Sequence, residues 1–292
     1  MKSAALKHNI HCKTEYDPLN QVIVTEPRFM SITNIINETQ KHYEHADIDT
    51  RLALTQHRNF VKVLKENKVI VHQLPAIHEL NEQVFTRDIG FVIEDQFYVG
   101  NMSETIRQKE TVHLKKWLIN KSIAHQKEFL HPIEGGDVLL DGSTIWVGLS
   151  GRTSHEAVEE LKSRRPNDNI EALTLKSDVL HLDCVLNIID KGTALIYPPA
   201  FTPQGLNKLR SRFSLIPVTQ EEQFFMGPNV LSLGHQRIIS LSSNVRLNQR
   251  MTSNGFQVLP VQFSEIIKSG GSFRCCTLPL ERKKVSDKEK ES

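Results

Sequence analysis

Only four cysteines, Cys12, Cys184, Cys275 and Cys276, occur in 292 residues, a density too low for the cross-linked scaffold of a small secreted domain. A reducing cytoplasm is therefore the expected setting. No segment approaches the ~18 consecutive apolar residues of a membrane span, and the opening MKSAALKHNIHCKTEYDP lacks the apolar core of ~7–15 residues that marks an export signal. Charge of one sign is also missing: Lys+Arg 36 against Asp+Glu 34 leaves a net charge of +2, much of it near the C-terminus. Such a balance recommends neither a nucleic acid nor a membrane as partner. A small molecule remains, or another protein such as a second copy in a homodimer.

A hydrophobic content of 39% is ordinary for a globule with a core of its own. The last twelve residues, ERKKVSDKEKES, are almost all charged or polar and cannot offset the entropy of ordering. One domain over 1–280 with a disordered tail over 281–292 is expected.

One segment type recurs four times: GFVIEDQFYVG from Gly90, DVLLDGSTIWVG from Asp137, VLNIIDKGTALIYP from Val185 and NVLSLGHQRIISL from Asn229. Each is an apolar run, a polar turn and a second apolar run, the signature of a hairpin, with Asp141-Gly142 and Lys191-Gly192 as turn residues. Helical patterns follow at Ser103–Leu118 (Ile106, Leu114, Trp117, Leu118), from Thr153 (Ala157, Val158, Leu161) and from Thr202-Pro203 (Leu206, Leu209, Phe213). Thr153 and Glu156 have capping-box spacing, and Thr202-Pro203 reads as an N-cap followed by the first helical residue. The short apolar runs IEALTL, FSLIPV and FQVLPV then close each unit as strand, strand, helix, strand.

A fifth unit is expected from the two chain ends: NQVIVTEP, the amphipathic stretch around Leu54, Phe60, Val61 and Leu64, the strand KVIVHQLP, and a strand after Cys275. The units would then form a closed α/β ring. At or just before the hairpins stand Asp88, Asp137, Asp183 and Asn229, separated by 49, 46 and 46 residues. A carboxylate beside an apolar strand is unfavourable unless paired or bonded, so their register points to a shared structural role or a shared polar cavity on the axis.

Five polar clusters stand out: FTRDIG (Asp88), IEGGD (Glu134, Asp137), LSGRTS (Arg152), HLDC (His181, Asp183) and GGSFRCCT (Cys275 or Cys276). A thiol, a histidine and several carboxylates suit a cationic substrate. Asp88, Glu134 and Asp183 can accept N–H bonds from a planar guanidinium and hold its central carbon before a sulfur. Arg152 and Arg107 are candidates for a carboxylate at the other end of that substrate, or solvated cations at helix ends. HLDC lacks the paired ligand spacing of a structural zinc site, so no metal and no cofactor is expected. EGGD also occurs in ordinary turns, and Cys184 reads as a small buried residue. Cys275-Cys276 would make a strained redox pair.

Taken in order, these motifs resemble the guanidine-modifying enzymes of the pentein fold. That fold is a five-bladed ring of ββαβ units with pseudo-fivefold symmetry, found in arginine deiminases, dimethylarginine dimethylaminohydrolases and glycine amidinotransferases. The resemblance implies that Asp88, Glu134 and Asp183 contact the guanidinium, that Arg152 and, less closely matched, Arg107 grip the substrate carboxylate, and that His181 is the acid/base. GGSFRCCTLP resembles the deiminase ending in which the nucleophile directly follows an arginine, so Cys275 reacts and Cys276 is its neighbour.

The chemistry so implied is metal-free covalent hydrolysis of arginine or an N-methylated arginine through a Cys275 thiouronium, giving citrulline and an amine. A dimethylarginine dimethylaminohydrolase-like enzyme fits the chain length. Arginine deiminase or another guanidine deiminase, an amidinotransferase, and a non-catalytic protein of the same fold are the alternatives. Cys275→Ser is expected to abolish turnover while Cys276→Ser leaves most of it. A steady-state assay decides, and equal loss in both variants overturns the choice of sulfur.

Overall fold

The computed structural model describes residues 9–283. After β1 (Leu19–Thr25), a short helix α1 (Glu38–His42) and the long α2 (Thr50–Glu66) lead to β2 (Ile70–Leu74). The hairpin β3 (Gly90–Ile93) and β4 (Gln96–Val99) precedes α3 (Gln108–Asn120). The next unit is β5 (Val138–Asp141), β6 (Thr144–Leu149), α4 (His155–Arg164) and β7 (Asn169–Thr174). It repeats as β8 (Leu186–Asp190), β9 (Thr193–Ile196), α5 (Pro203–Arg212) and β10 (Ser214–Pro217). A short helix α6 (Gln220–Phe224) intervenes before β11 (Leu231–Gly234), β12 (Arg237–Leu241), α7 (Val245–Ser253) and β13 (Gln257–Val261), and β14 (Leu278–Arg282) ends the described chain.

These strands form five small sheets, four of them mixed and of one design. In each complete sheet an antiparallel hairpin is followed by a third strand parallel to its second, as in β5-β6-β7, β8-β9-β10 and β11-β12-β13. The chain ends build the same unit: β14 is antiparallel to β1, with Val22 opposite Pro279, and β1 is parallel to β2. Only β3-β4 is short of a strand. There the third member has shrunk to a single parallel bridge between Phe97 and His125.

Helices cover the sheets with the faces their periodicity marks: Phe60 and Leu64 of α2, Leu114 and Leu118 of α3, Ala157, Val158 and Leu161 of α4, and Leu209 of α5 are fully buried. Three expectations need correction. Thr153 does not cap α4: Ser154 does, accepting the Ala157 N–H at 3.2 Å, because the Thr153 hydroxyl accepts the Glu134 N–H at 3.1 Å instead. Ile106 falls outside the buried stripe, 40% exposed, since the chain enters α3 through a 3-10 turn at Thr105–Arg107 that shifts the helical phase. Glu281 and Arg282, assigned to the tail, are paired in β14; the rest of that tail from residue 284 lies outside the described residues. Thr202 caps α5 as its sequence demands, accepting the Gly205 N–H at 3.2 Å.

The in-register polar positions meet. Asp88, Asp137, Asp183 and Asn229 are all buried, and a fifth member lies 46 residues beyond Asn229: it is Cys275. Hydrogen bonds link each to the following unit. Gly135 N–H donates to the Asp88 carbonyl at 3.0 Å, Leu182 N–H to Asp137 Oδ1 at 2.8 Å, Asn229 Nδ2 to the Asp183 carbonyl at 3.3 Å and Cys275 N–H to Asn229 Oδ1 at 3.1 Å. Arg87 N–H then donates to the Cys275 carbonyl at 2.9 Å, returning the series to its start.

Backbone approaches backbone closely along this series. A Cβ on Gly135 would lie 2.2 Å from the Arg87 carbonyl oxygen and 2.6 Å from that of Gly90, so Gly135→Ala is expected to lower stability by about 1–3 kcal/mol or more. Gly151→Ala, with nothing within 4 Å of the added carbon, should be close to neutral. Denaturant midpoints compare the two, and equal midpoints would refute the packing constraint.

Candidate active site

A buried charge cluster forms where the EGGD and HLDC segments face each other. Glu134 Oε2 lies 2.8 Å from His181 Nε2, and Asp88 Oδ1 lies 3.7 Å from His181 Nδ1. Burial alone would push the imidazolium pKa down, but Asp88, the Glu134 hydrogen bond and Asp137 outweigh it and raise His181 from 6.5 to about 10. The close approach depends on Gly136, whose missing Cβ would sit 2.8 Å from both Asp88 Oδ1 and His181 Cγ. Glu134 is held at its other oxygen by the Ser103 N–H at 3.0 Å.

The Cys275 sulfur sits in a second, adjoining set of bonds. Asn229 Nδ2 donates to Sγ at 3.0 Å, while Asn229 Oδ1 accepts the N–H groups of Cys275 and Ser272, each at 3.1 Å. One amide thereby fixes both the sulfur and the backbone beneath it. Asp183 Oδ2 lies 3.6 Å from Cys275 Sγ and also takes Nη1 of Arg274. Arg274, fully buried, continues to Glu15 Oε1 at 3.2 Å and the Val138 carbonyl at 3.0 Å. Glu15 resists the rise that burial would cause and falls to about 2 because Arg274, Arg87 and Arg282 surround it.

A narrow pocket opens over these groups, lined by Cys275, His181, Asp88, Arg107 and Arg152 together with Ile36, Asn37, Glu82, Phe85 and Leu180. Gly270 and Gly271 also line it. Gly270 adopts φ 93°, a left-handed conformation that favours glycine, and Gly271 leaves room for the Phe85 ring, 2.5 Å from where a Cβ would stand. The segment before α1 closes one side: Arg152 Nη2 donates to the Ile36 carbonyl at 2.6 Å, and Asn37 Nδ2 to the Ser269 carbonyl at 3.1 Å.

The two arginines differ. Arg152 Nη1 has no hydrogen-bond partner and lies 3.9 Å from Glu134. Arg107 is heavily engaged, giving Nη1 to Asp88 at 2.6 Å, Nε and Nη2 to Glu110 at 3.1 and 2.9 Å, and Nη2 to the Phe85 carbonyl at 3.1 Å. It therefore holds Asp88 in place. Asp88 stays below the ordinary carboxylate range although burial would raise it, because His181 and Arg107 flank it. Glu82 behaves oppositely: burial pushes it up to about 7 despite Arg107, while Gln40 Nε2 at 2.8 Å and Ser269 Oγ at 3.1 Å bond its carboxylate.

All seven expected site residues, Cys275, His181, Glu134, Asp88, Asp183, Arg152 and Arg107, are thus gathered in one buried region. Two donor sets could in principle hold a cation: the liganding atoms of Asp88, Glu134 and His181 lie within 4.8 Å of one another, as do those of Asp183, Cys184 and Cys275. In the second, the Asp183 carboxylate is also paired with Arg274.

Asn229, Glu82, Ile36 and Glu15 were not expected here. Asn229 alone carried a signal, its register with the three aspartates. Among the described residues no helix is long and apolar enough to cross a membrane.

The raised pKa makes a checkable claim. A group whose pKa rises on folding stabilises the fold fully below its unfolded value, so the His181 contribution is complete below 6.5 and is lost as pH climbs to about 10. NMR titration of the ligand-free protein is expected to find His181 charged at pH 8, with Glu134→Gln shifting its titration downward. A neutral His181 at pH 8 in the unmutated protein would overturn the electrostatic account.

Known proteins resemble this chain over most of its length. The family model described as N,N dimethylarginine dimethylhydrolase, eukaryotic, matches residues 26–282. YkgA of Bacillus subtilis, an uncharacterised protein, is 44% identical over 276 residues, covering 94% of this chain and 96% of that one. The N(G),N(G)-dimethylarginine dimethylaminohydrolase of Mycobacterium tuberculosis is 26% identical over 260 residues, 88% of this chain and 84% of the other. The N-terminal domain of ArgZ, described as an arginine dihydrolase from the ornithine-ammonia cycle in cyanobacteria and solved with product bound, shares the fold. Its TM-score is 0.83 at 22% identity, over 91% of this chain and 98% of that domain. With the match running from just after β1 into β14, the chain belongs to the N,N-dimethylarginine dimethylhydrolase family of the pentein superfamily.

Proposed function

We propose that the protein hydrolyses the guanidinium group of arginine or an N-methylated arginine, releasing an amine and leaving citrulline. The observation that carries this reading is the His181 imidazolium held by Glu134 and Asp88 beside the pocket that Cys275 lines. Cys275 passes its proton to Asp183, 3.6 Å away, and attacks the central guanidinium carbon, Asp88 and Glu134 hold the nitrogens in plane, and His181 delivers its proton to the departing amine. A thiouronium remains on Cys275. The imidazole, now neutral, takes a proton from water and directs the hydroxide to the same carbon, restoring the thiol.

Arg152, with Nη1 unpartnered, receives the substrate carboxylate, and Glu82 in the same pocket offers a complementary acid for an ammonium. Arg107 acts first through Asp88, which it holds at 2.6 Å. The side chains supply each group the chemistry needs, so no cofactor enters. The unit-to-unit hydrogen bonds that return from Cys275 to Arg87 support a closed ring of five ββαβ units with pseudo-fivefold symmetry around this site. Residues 9–283 are read as one catalytic domain.

N-methyl groups on the substrate require apolar walls. Ile36, Phe85 and Leu180 line the same pocket as the nucleophile, which favours a dimethylarginine substrate. A deiminase reading, with ammonia as the leaving group, draws on Asp183: its carboxylate, 3.6 Å from the sulfur, suits an unsubstituted nitrogen.

The experiment is a panel of arginine, monomethylarginine, asymmetric dimethylarginine and agmatine, measuring ureido product and released amine. The highest kcat/KM is expected with a methylated arginine, and agmatine, which has no carboxylate, should be poor. Arg152→Ala should raise KM by about 10–100-fold, the value of a charge-assisted bond of ~1.5–3 kcal/mol. Product from none of the four, with no adduct on Cys275, would refute the enzymatic reading.

A further inference from the structure

Cys184 is a buried thiol that the proposed turnover does not use. It ends the short turn Leu182–Cys184 directly after Asp183 and does not line the substrate pocket. Its Sγ lies 3.6 Å from Asp183 Oδ1, and Cys275 Sγ lies 3.6 Å from Asp183 Oδ2. One carboxylate therefore carries both thiols, and the two sulfurs fall within 4.8 Å of each other.

We propose that Cys184 is a resolving thiol for Cys275: after a hydroperoxide oxidises the active-site sulfur, Cys184 closes a Cys184–Cys275 disulfide that shuts the site reversibly. In the first step Cys275 sulfur attacks one peroxide oxygen. The O–O bond breaks, the other oxygen leaves and takes up the thiol proton as water or an alcohol, and Cys275 carries a sulfenic acid. In the second, Cys184 sulfur attacks Cys275 sulfur and the S–O bond breaks. The hydroxyl leaves as water with the Cys184 proton, for which Asp183 is the adjacent base. The two thiols lose two electrons and two protons, and the peroxide takes them up.

Competing partners are excluded by position. Cys276 is adjacent in sequence, its N–H tied to the Ser272 carbonyl at 3.0 Å, and a vicinal disulfide would strain that backbone. Cys12 is bonded to the Pro279 carbonyl at 3.7 Å and belongs to neither donor set. The order of events also has a cause: the Cys275 sulfur, burial and Asp183 keep Cys184 protonated at rest, while only Cys275 of the pair lines the pocket by which a water-sized oxidant enters. A thiol sheltered behind the nucleophile is suited to resolve rather than to sense.

The test uses the full chain, hydrogen peroxide as oxidant and a dithiol as reductant. Alkylation under denaturing conditions and peptide mapping should find a Cys184–Cys275 link, with the loss of two hydrogens in intact mass and activity returning on reduction. Cys184→Ala should keep its starting turnover, lose it to peroxide, and fail to regain it, because Cys275 then proceeds to the sulfinic acid. The proposal is overturned if Cys184→Ala recovers as fully as the unmutated protein, if the link joins Cys275 to Cys276, or if the unmutated protein forms no link. Mapping the unmutated protein decides the matter alone should Cys184→Ala fold poorly. The mass readout needs no turnover, so this outcome is independent of which guanidine is the substrate.

Discussion

A charge placed in the interior of a protein must find its opposite, and at the centre of this molecule the charge is the His181 imidazolium. Glu134 and Asp88 face its two nitrogens, and each carboxylate depends in turn on other groups: that of Glu134 on the Ser103 N–H, that of Asp88 on Arg107, and Arg107 on Glu110. Removing one member of a buried pair leaves the other uncompensated, a loss of about 3–5 kcal/mol. The cluster is held together by this chain of pairings, and its middle member is the group that carries a transferable proton. Carboxylates that keep His181 charged are also those placed to meet a cationic substrate, so binding a guanidinium competes for the very charges that hold the proton. Entry of the substrate would loosen that proton at the moment a leaving amine requires it.

The Cys275 thiol belongs to the architecture as much as to the proposed chemistry. Cys275 occupies the place in its unit that Asp88, Asp137, Asp183 and Asn229 occupy in theirs. Each position is tied by a hydrogen bond to the next unit and differs from the others in its functional group. Two aspartates face the histidine or the thiol as charges, Asp137 takes up the Leu182 N–H and the Ser150 hydroxyl, and the amide of Asn229 grips the sulfur. Repetition supplied one geometry; substitution at one point per unit distributed the roles.

Much of this was legible in the sequence because its signals are local. Hairpin turns, the Thr202-Pro203 cap and the apolar stripes of α2 to α5 follow from neighbouring residues, and the motifs bearing Asp88, Glu134, His181 and Cys275 are short and contiguous. What was not legible depends on distant partners. Glu15 acquires meaning only by meeting Arg274, 259 residues away. Ile36 enters through its carbonyl, which no side-chain pattern advertises, and Glu82 resembles any surface acid until burial shifts it. Thr153 illustrates the conflict directly: its spacing to Glu156 is that of a cap, yet a backbone N–H at Glu134 claims its hydroxyl, and Ser154 takes over the helix end. Four members of the register were visible, and the fifth, Cys275, was not, because a thiol does not look like a carboxylate.

The pairing of β14 with β1 has a consequence for synthesis. The sulfur lies a few residues before β14, and the strand that seats it must find a partner from the other end of the chain, Val22 opposite Pro279. The chain must therefore be made as far as β14 before the Cys275 thiol can be seated, and contacts of such sequence separation close late and slowly. Until then β1 lacks the neighbour that β14 provides. A nascent chain that stops short of β14 can fold several of its units and still lack this thiol in its place.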